Sequence, residues 1–460
     1  MYRLIALIVL AGLLVGCQNA NETAESPVAP TAVPTDGPDV AEATVSQDDV
    51  RQDAQEAPME IDADHLAELN AGNRAFALAA LHNLLVAEPE EDNLLVSPHS
   101  ILSALAMVYA GAEGQTREEI RETLQFRLPE PALHQAFQAL DAALADRRQD
   151  GRDDQARGFE LNVVNRLWGD QDYEFVPDYL ALVERYYGAG LERVDFAGNH
   201  EGARQQINRW VEEVTRDRIQ DLLPMGVLDE DTRLVLVNAI YFLASWQDAF
   251  EESQTVQEPF RSLDGSTVDV PMMKRVAHLP AYLGTDTTAV AIPYLGGDVS
   301  FLALMPSDGS QDFEQWQSSI SVERFDEIVA GLQGQRVDLS LPRFRSEGSF
   351  RLSDMLQSMG MRAAFSRPDA NFERMTGVGP GVVGRSLYID EVFHKTFIDL
   401  DEVGTEAAAA TAVVMMRVTS MPIEDDPTVV RFDRPFLFAV YDHPTGSILF
   451  LGRQGQIGRQ

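Results

Sequence analysis

Glu402-Val403-Gly404-Thr405-Glu406-Ala407-Ala408-Ala409-Ala410-Thr411 is the stretch on which the architecture turns. By propensity it is a helix, since Thr405 can cap an alanine run and alanine is the strongest helix former. As a strand it divides by alternation. Thr405, Ala407, Ala409, Thr411, Val413 and Met415 then share one face, and Glu406, Ala408, Ala410, Ala412 and Val414 the other. That division keeps the Glu406 charge off the face that meets a core. The residues alone leave both readings open.

Outward from this run, apolar residues recur at helical spacing over Leu66 to Val86. Ser97-Pro98 supplies a cap and a first-turn proline for a helix through Ala110, and Thr116-Arg117-Glu118-Glu119 opens another. Strand-like runs follow at Leu161 to Trp168, Leu234 to Trp246, Val299 to Met305, Val337 to Phe344 and Leu387 to Leu400. Helical stretches lie between them near Gln206 to Thr215 and Phe313 to Leu332. The early half is helix-rich and the late half strand-rich, with no repeat and no Pro/Gly/Ser linker between them. A single α+β domain is predicted over residues 65–460.

The first residues read differently. Arg3 precedes an apolar run from Leu4 to Leu14, and Leu14-Val15-Gly16-Cys17 ends it with small residues. The run is too short to span a ~30 Å hydrocarbon core as a helix. It resembles the lipobox of bacterial lipoproteins, which implies a signal peptide over 1–17, lipidation of Cys17, and an extracytoplasmic domain anchored to a membrane or cell surface. An ordinary cleaved signal peptide is the alternative. Residues 18–64 are rich in Pro, Ala, Thr, Asp and Glu, with Arg51 as their only base, and show no periodicity. They are predicted to be a disordered acidic tether. Cys17 is the only cysteine, so the domain is stabilised by its core and not by disulfides.

The formal net charge is -37, which disfavours nucleic acid or an anionic membrane surface as a partner. No His-Glu-x-x-His or Cys/His cluster stands at metal-ligand spacing, so neither a metal nor a cofactor is indicated. There is no Gly-x-Ser-x-Gly elbow and no Walker loop. Gly379-Pro380-Gly381-Val382-Val383-Gly384 matches the dinucleotide fingerprint as a string, but it follows Phe372 to Thr376 and not a buried strand. It reads as a glycine-rich surface loop. The chain is therefore not read as an enzyme.

An ordered set of segments carries a specific resemblance. Asn93-Leu94-Leu95-Val96-Ser97-Pro98-His99-Ser100-Ile101 comes first, then Tyr187-Gly188-Ala189, Val194-Asp195-Phe196 and Ile207-Asn208-Arg209-Trp210-Val211. Leu236-Val237-Asn238-Ala239-Ile240-Tyr241-Phe242 with Trp246, Leu341-Pro342-Arg343-Phe344, His394-Lys395 and Arg434-Pro435-Phe436-Leu437-Phe438 complete it. In order and spacing these resemble the serpins over essentially the whole domain. The resemblance implies helices around a large central mixed or antiparallel β-sheet, further sheets, and a mobile reactive-centre loop. Ser97, Ser100, Asn238 and His394 fall at the family's polar shutter below the central sheet, and Trp246 at the breach where that sheet opens. In any fold, buried Ser, Asn and His need hydrogen-bond partners, so a purely stabilising role is the competing reading.

Glu402 to Thr411 matches the hinge of inhibitory serpins, with Val403 departing from the more usual glutamate. The resemblance implies an inhibitor of serine proteases that is cut in the loop, inserts the cut strand into the sheet and traps the acyl-enzyme. Gly404 has the backbone freedom of a pivot. The family's spacing from Gly404 puts Val418 before the cut and Thr419 after it, suiting an elastase-like pocket. A shift of one puts Arg417 before the cut and Val418 after it, suiting a trypsin-like pocket. Subtilisin-like and cysteine proteases are further candidate targets. A monomer is expected, with no cofactor and no nucleic acid bound. A non-inhibitory, serpin-like binding or carrier lipoprotein is the runner-up, disfavoured by the small residues kept from Ala407 to Ala410.

Overall fold

The computed structural model describes residues 62–147, 158–188, 190–382, 386–405 and 426–458. Asp62 opens the described chain by accepting the N–H groups of Asp64 and His65, which caps α1 (Ala63–Ala87). Phe76, Ala77, Ala80, Leu81 and Leu84 repeat at helical spacing and form the buried face of α1. The short strand β1 (Asn93–Val96) then leads into α2 (Pro98–Gly111), with Ser97 as its cap and Pro98 in its first turn. Every residue of α2 is buried, because the helix lies between the two sheets and touches both.

The helices α3 (Gly114–Thr123), α4 (Ala132–Asp146), α5 (Pro177–Tyr187) and α6 (Phe196–Val214) alternate with β2 (Phe159–Asp170) and β3 (Leu191–Val194). The chain continues through β4 (Leu234–Ser245), β5 (Val256–Arg261), β6 (Thr267–Leu283), β7 (Thr287–Pro293) and β8 (Val299–Pro306). The helices α7 (Phe313–Ser318) and α8 (Val322–Ala330) precede β9 (Gln333–Pro342) and β10 (Phe344–Arg351). After α9 (Ser353–Ser358) and α10 (Glu373–Thr376) come β11 (Val392–Leu400), β12 (Gly404–Thr405), β13 (Thr428–Arg431), β14 (Phe436–Asp442) and β15 (Ser447–Gln454).

Nine strands form one sheet, in the order β1-β15-β14-β8-β7-β6-β9-β13 with β5 also paired to β6. The other is a mixed sheet ordered β10-β11-β12-β4-β2-β3. Its inner strand β4 is buried on both faces, by alternation. Leu236, Asn238, Ile240 and Phe242 of β4 face inward, whereas Val235 and Val237 join Trp168, Ile207 and Val211 in a second apolar cluster beneath α6. The architecture is α+β.

Several sequence expectations shift in detail. The stretch Phe313 to Leu332 is two helices, because Ser321 accepts the Arg324 N–H and starts a new one. Val337 to Phe344 is likewise divided at Arg343 between β9 and β10. Leu387 and Ile389 are buried but belong to no strand, since the Ile389 N–H bonds the Ala364 carbonyl and the ladder begins only at Val392. The third helix begins at Gly114, ahead of Thr116, which is buried and accepts the Asn371 N–H.

Candidate functional site

The inner strands β11 and β4 carry the site, and it has two ends. At the lower end the two pair directly and in parallel, Val392 to Phe397 against Leu236 to Tyr241. His394 stands opposite Asn238, and Asn238 opposite Asn165 of β2, so three polar residues form a row across three strands. They point at the start of α2. The His394 Nε2 accepts the Ser97 N–H at 3.1 Å, which leaves the ring proton on Nδ1, donated to the Asn238 Oδ1 at 2.5 Å. The Asn238 amide nitrogen lies 2.7 Å from the Ser100 carbonyl, 2.6 Å from the Ser100 Oγ and 2.5 Å from the Asn165 Oδ1. Its two protons are thus shared among three acceptors. Ser97 accepts the Ser100 N–H and donates its own hydroxyl to the Leu449 carbonyl at 2.7 Å, tying the network to β15 of the other sheet. His394 is 1% exposed, and burial pulls its pKa down to about 3, so the ring stays neutral.

At the upper end β11 and β4 are parted. Between them lies β12, with Thr405 paired antiparallel to Leu400 on one side and to Ala244 on the other, and Gly404 paired to Ser245. A Cβ on Gly404 would stand 2.0 Å from the Ala244 carbonyl oxygen. The reason for a glycine here is therefore this close approach and not a left-handed φ, which Gly404 does not adopt. Thr405 faces the core, its hydroxyl 2.7 Å from that of Tyr294. Trp246 stacks on Tyr294 with centroids 4.6 Å apart and planes 7° from parallel, and its indole N–H donates to the Asp401 carbonyl. Its backbone N–H donates to the Val403 carbonyl, and that of Phe250 to the Glu402 carbonyl. The Glu402 carboxylate is buried, accepts the Thr255 hydroxyl at 2.7 Å and lies 3.7 Å from the Arg343 guanidinium.

The structure thus brings Ser97, Ser100, Asn238 and His394 together, and separately Trp246, Glu402, Gly404 and Thr405. Along β4 the two ends are six residues apart, from Asn238 to Ala244, or about 20 Å. Glu406, Ala407, Ala408, Ala409, Ala410, Thr411, Arg417, Val418, Thr419 and Cys17 lie outside the described residues. Sequence reasoning missed Asn165, Tyr294, Thr255 and Asp401. Asn165 carried a signal, since it interrupts the otherwise apolar alternation of Leu161, Val163 and Leu167. The decoy glycine string follows α10 and not a strand. Among the described residues no group of three or more His, Cys, Asp or Glu is placed to hold a metal.

Comparison with known proteins fits this geometry. The family model described as Serpin (serine protease inhibitor) matches residues 71–456. An uncharacterized serpin-like protein of Thermococcus kodakarensis is 38% identical over 362 residues, covering 79% of this chain and 80% of that protein. Leukocyte elastase inhibitor A of Mus musculus is 36% identical over 395 residues, covering 84% of this chain and 99% of the relative. Among solved structures, the thermophilic serpin tengpin in its native state superposes with a TM-score of 0.75 at 26% identity, covering 87% of this chain and 96% of that one. The chain belongs to the serpin family.

Proposed function

We propose that this chain is a single-use inhibitor of a serine protease and traps the enzyme by growing β12 into a full strand between β11 and β4. Family membership and relatives that are elastase inhibitors support protease inhibition in general. The finer reading is carried by one observation: the sheet already holds Gly404 and Thr405 between two strands that pair directly a few residues below.

The protease serine attacks the carbonyl carbon of Val418. The bond to the Thr419 nitrogen breaks, the nitrogen leaves with a proton, and Val418 remains esterified to the enzyme. The freed strand extends the ladder at the register of Thr405. Ala407 then arrives between Ile398 and Phe242, both fully buried, where a small side chain fits and a larger one clashes. Six residues beyond Thr405, Thr411 arrives between His394 and Asn238. The entering strand must break the His394–Asn238 hydrogen bond, and the Thr411 hydroxyl supplies a donor and an acceptor in its place. One parallel pairing is exchanged for two antiparallel ones, so insertion is downhill and irreversible in practice.

The family's spacing from Gly404 favours Val418–Thr419 as the cut, and relatives that are elastase inhibitors support an elastase-like target. Mixing the protein with elastase-like, subtilisin-like and trypsin-like enzymes should give an SDS-stable complex and a released peptide that begins at Thr419. A peptide beginning at Val418 places the cut after Arg417. Clean cleavage of the loop without a complex, by every enzyme tried, turns the reading to the carrier form. We further propose that Cys17 is lipidated and holds the inhibitor outside the cytoplasm. Fatty-acid labelling lost in Cys17→Ser checks this.

A further inference from the structure

The hairpin from which the inserted strand would grow is already built, and one side chain outside the Glu402–Thr411 run holds it. The Asp401 N–H donates to the Gly404 carbonyl at 2.8 Å, closing a loop of two residues, Glu402 and Val403. The Asp401 Oδ1 accepts the N–H groups of both Val403 (2.8 Å) and Gly404 (3.1 Å). Trp246 and Phe250 occupy the carbonyls of Asp401, Glu402 and Val403 from outside the turn. The carboxyl of Asp401 is therefore the acceptor that keeps two N–H groups of a tight, half-buried turn from being orphaned.

We infer that Asp401 is a positioning residue for loop insertion: its carboxyl holds the hinge turn in the hairpin geometry onto which each further residue of the loop must zip. This rests on the inhibitor reading above. Without the turn, the chain beyond Leu400 leaves the sheet at an unfixed angle, and the cut loop searches for its register while the acyl-enzyme is being hydrolysed. With the turn in place, the first pair of the ladder, Leu400 with Thr405, is made before the protease arrives.

The same group makes the device sensitive to pH. Burial pushes Asp401 up to about 6, partly offset by the Val403 and Gly404 N–H groups, with the negative Glu402 and Asp399 adding to the rise. From the other elements packed here, Arg343 faces Glu402 and also acts on Asp399, as do Arg345 and Arg218, while Trp246, Phe250 and Thr255 contribute neutral donors. The value in the turn lies above the ordinary 3.8 of a solvated aspartate. Proton uptake therefore tightens the turn: it is held most firmly below about pH 4 and loosens as pH rises through about 6.

The test uses the full domain as wild type, Asp401→Asn and Asp401→Ala, with one protease that forms the complex, at about pH 5 and about pH 7.5, either side of the Asp401 value. The readout is the number of inhibitor molecules consumed per enzyme trapped, and comparing variants at each pH cancels the protease's own pH dependence. Asp401→Asn keeps an acceptor and loses the titration. It should match the wild type at about pH 5, whereas at about pH 7.5 the wild type should consume more inhibitor than Asp401→Asn does. Asp401→Ala should consume about three- to tenfold more at both, the equivalent of one net hydrogen bond. Thermal unfolding of each variant separates misfolding from slow insertion. An Asp401→Asn profile that follows wild type, or an Asp401→Ala variant equal to it, overturns the inference. Where wild type traps no enzyme, the inhibitor reading has failed. The same comparison is then made on the rate at which loop-cut protein gains heat resistance, and no gain at all in wild type sinks both.

Discussion

The strands β11 and β4 are zipped at one end and parted at the other, and the two ends are sealed by different chemistry. Below, the seal is backbone pairing plus a row of hydrogen-bonding side chains: His394, Asn238 and Asn165 over Ser97 and Ser100. Above, a wedge of two residues is pinned by stacked aromatic rings and a capped turn. An apolar seal below would have to expose its surface to open, with nothing to replace the loss until a new side chain filled the gap. A polar seal can exchange one partner for another of the same kind, and in the proposed insertion the side chain that would arrive at the register of Thr405 is a threonine. Under that proposal the upper end favours order before the event and the lower end favours exchange during it.

The largest expected effect comes from blocking passage between the two ends. In the proposed insertion Ala407 enters between Ile398 and Phe242, and Ala407→Arg would put a charge there with no partner. The loop should still be cut at the wild-type rate, while the yield of covalent complex on denaturing gels falls at least tenfold, by about 1.4 kcal/mol or more. A variant that still traps in good yield removes the insertion mechanism. Uncut Ala407→Arg should unfold at the same denaturant concentration as wild type.

How much of this was legible in the sequence differs between the ends in the same way. Ser97 was readable locally as a cap before a first-turn proline, and the family resemblance placed it with Ser100, Asn238 and His394. Their partners were harder to see. Asn165 meets Asn238 only through the register of two strands separated by some seventy residues, and no local pattern encodes register across that distance. At the upper end propensity and alternation left a helix capped by Thr405 and a strand both open, and the structure makes Gly404 and Thr405 a strand paired to Leu400 and Ala244. Asp401 was passed over because its role, capping the N–H groups of residues two and three ahead, depends on a turn that only those pairings create.

A medium effect, taken over the first pH unit of acidification, isolates the lower end. His394 carries no proton on Nε2 because it accepts from Ser97, and burial holds its pKa near about 3 against 6.5 when free. A base whose folded value lies below its unfolded value gives stability that is complete above the unfolded value and lost as pH falls toward the folded one. Between pH 6.5 and about 3 the unfolded chain takes up the proton that the fold refuses, at about 1.4 kcal/mol per pH unit. His394→Gln keeps an acceptor for Ser97 and cannot titrate. The urea midpoint of wild type should drop on acidification more steeply than that of the variant, and equal slopes would falsify the assignment of the neutral ring to this network.

The smallest effect sharpens the comparison most, because it should appear on one side of the reaction only. In the uncut protein His394 and Asn238 satisfy each other, so Thr411→Val should leave the urea midpoint of the uncut form unchanged. In the proposed cut and inserted form, the two strands would be separated and the hydroxyl at position 411 would become their common partner. Valine has the shape and none of the hydrogen bonding, so a buried ring N–H and a buried amide oxygen are left unpaired. The cut form should lose about 1–3 kcal/mol, read as a lower urea midpoint against cut wild type. A loss in both forms would place Thr411 in the resting network. A loss in neither would mean that the strand does not reach His394, and that the register set by Leu400, Thr405 and Ala244 is not carried down the sheet.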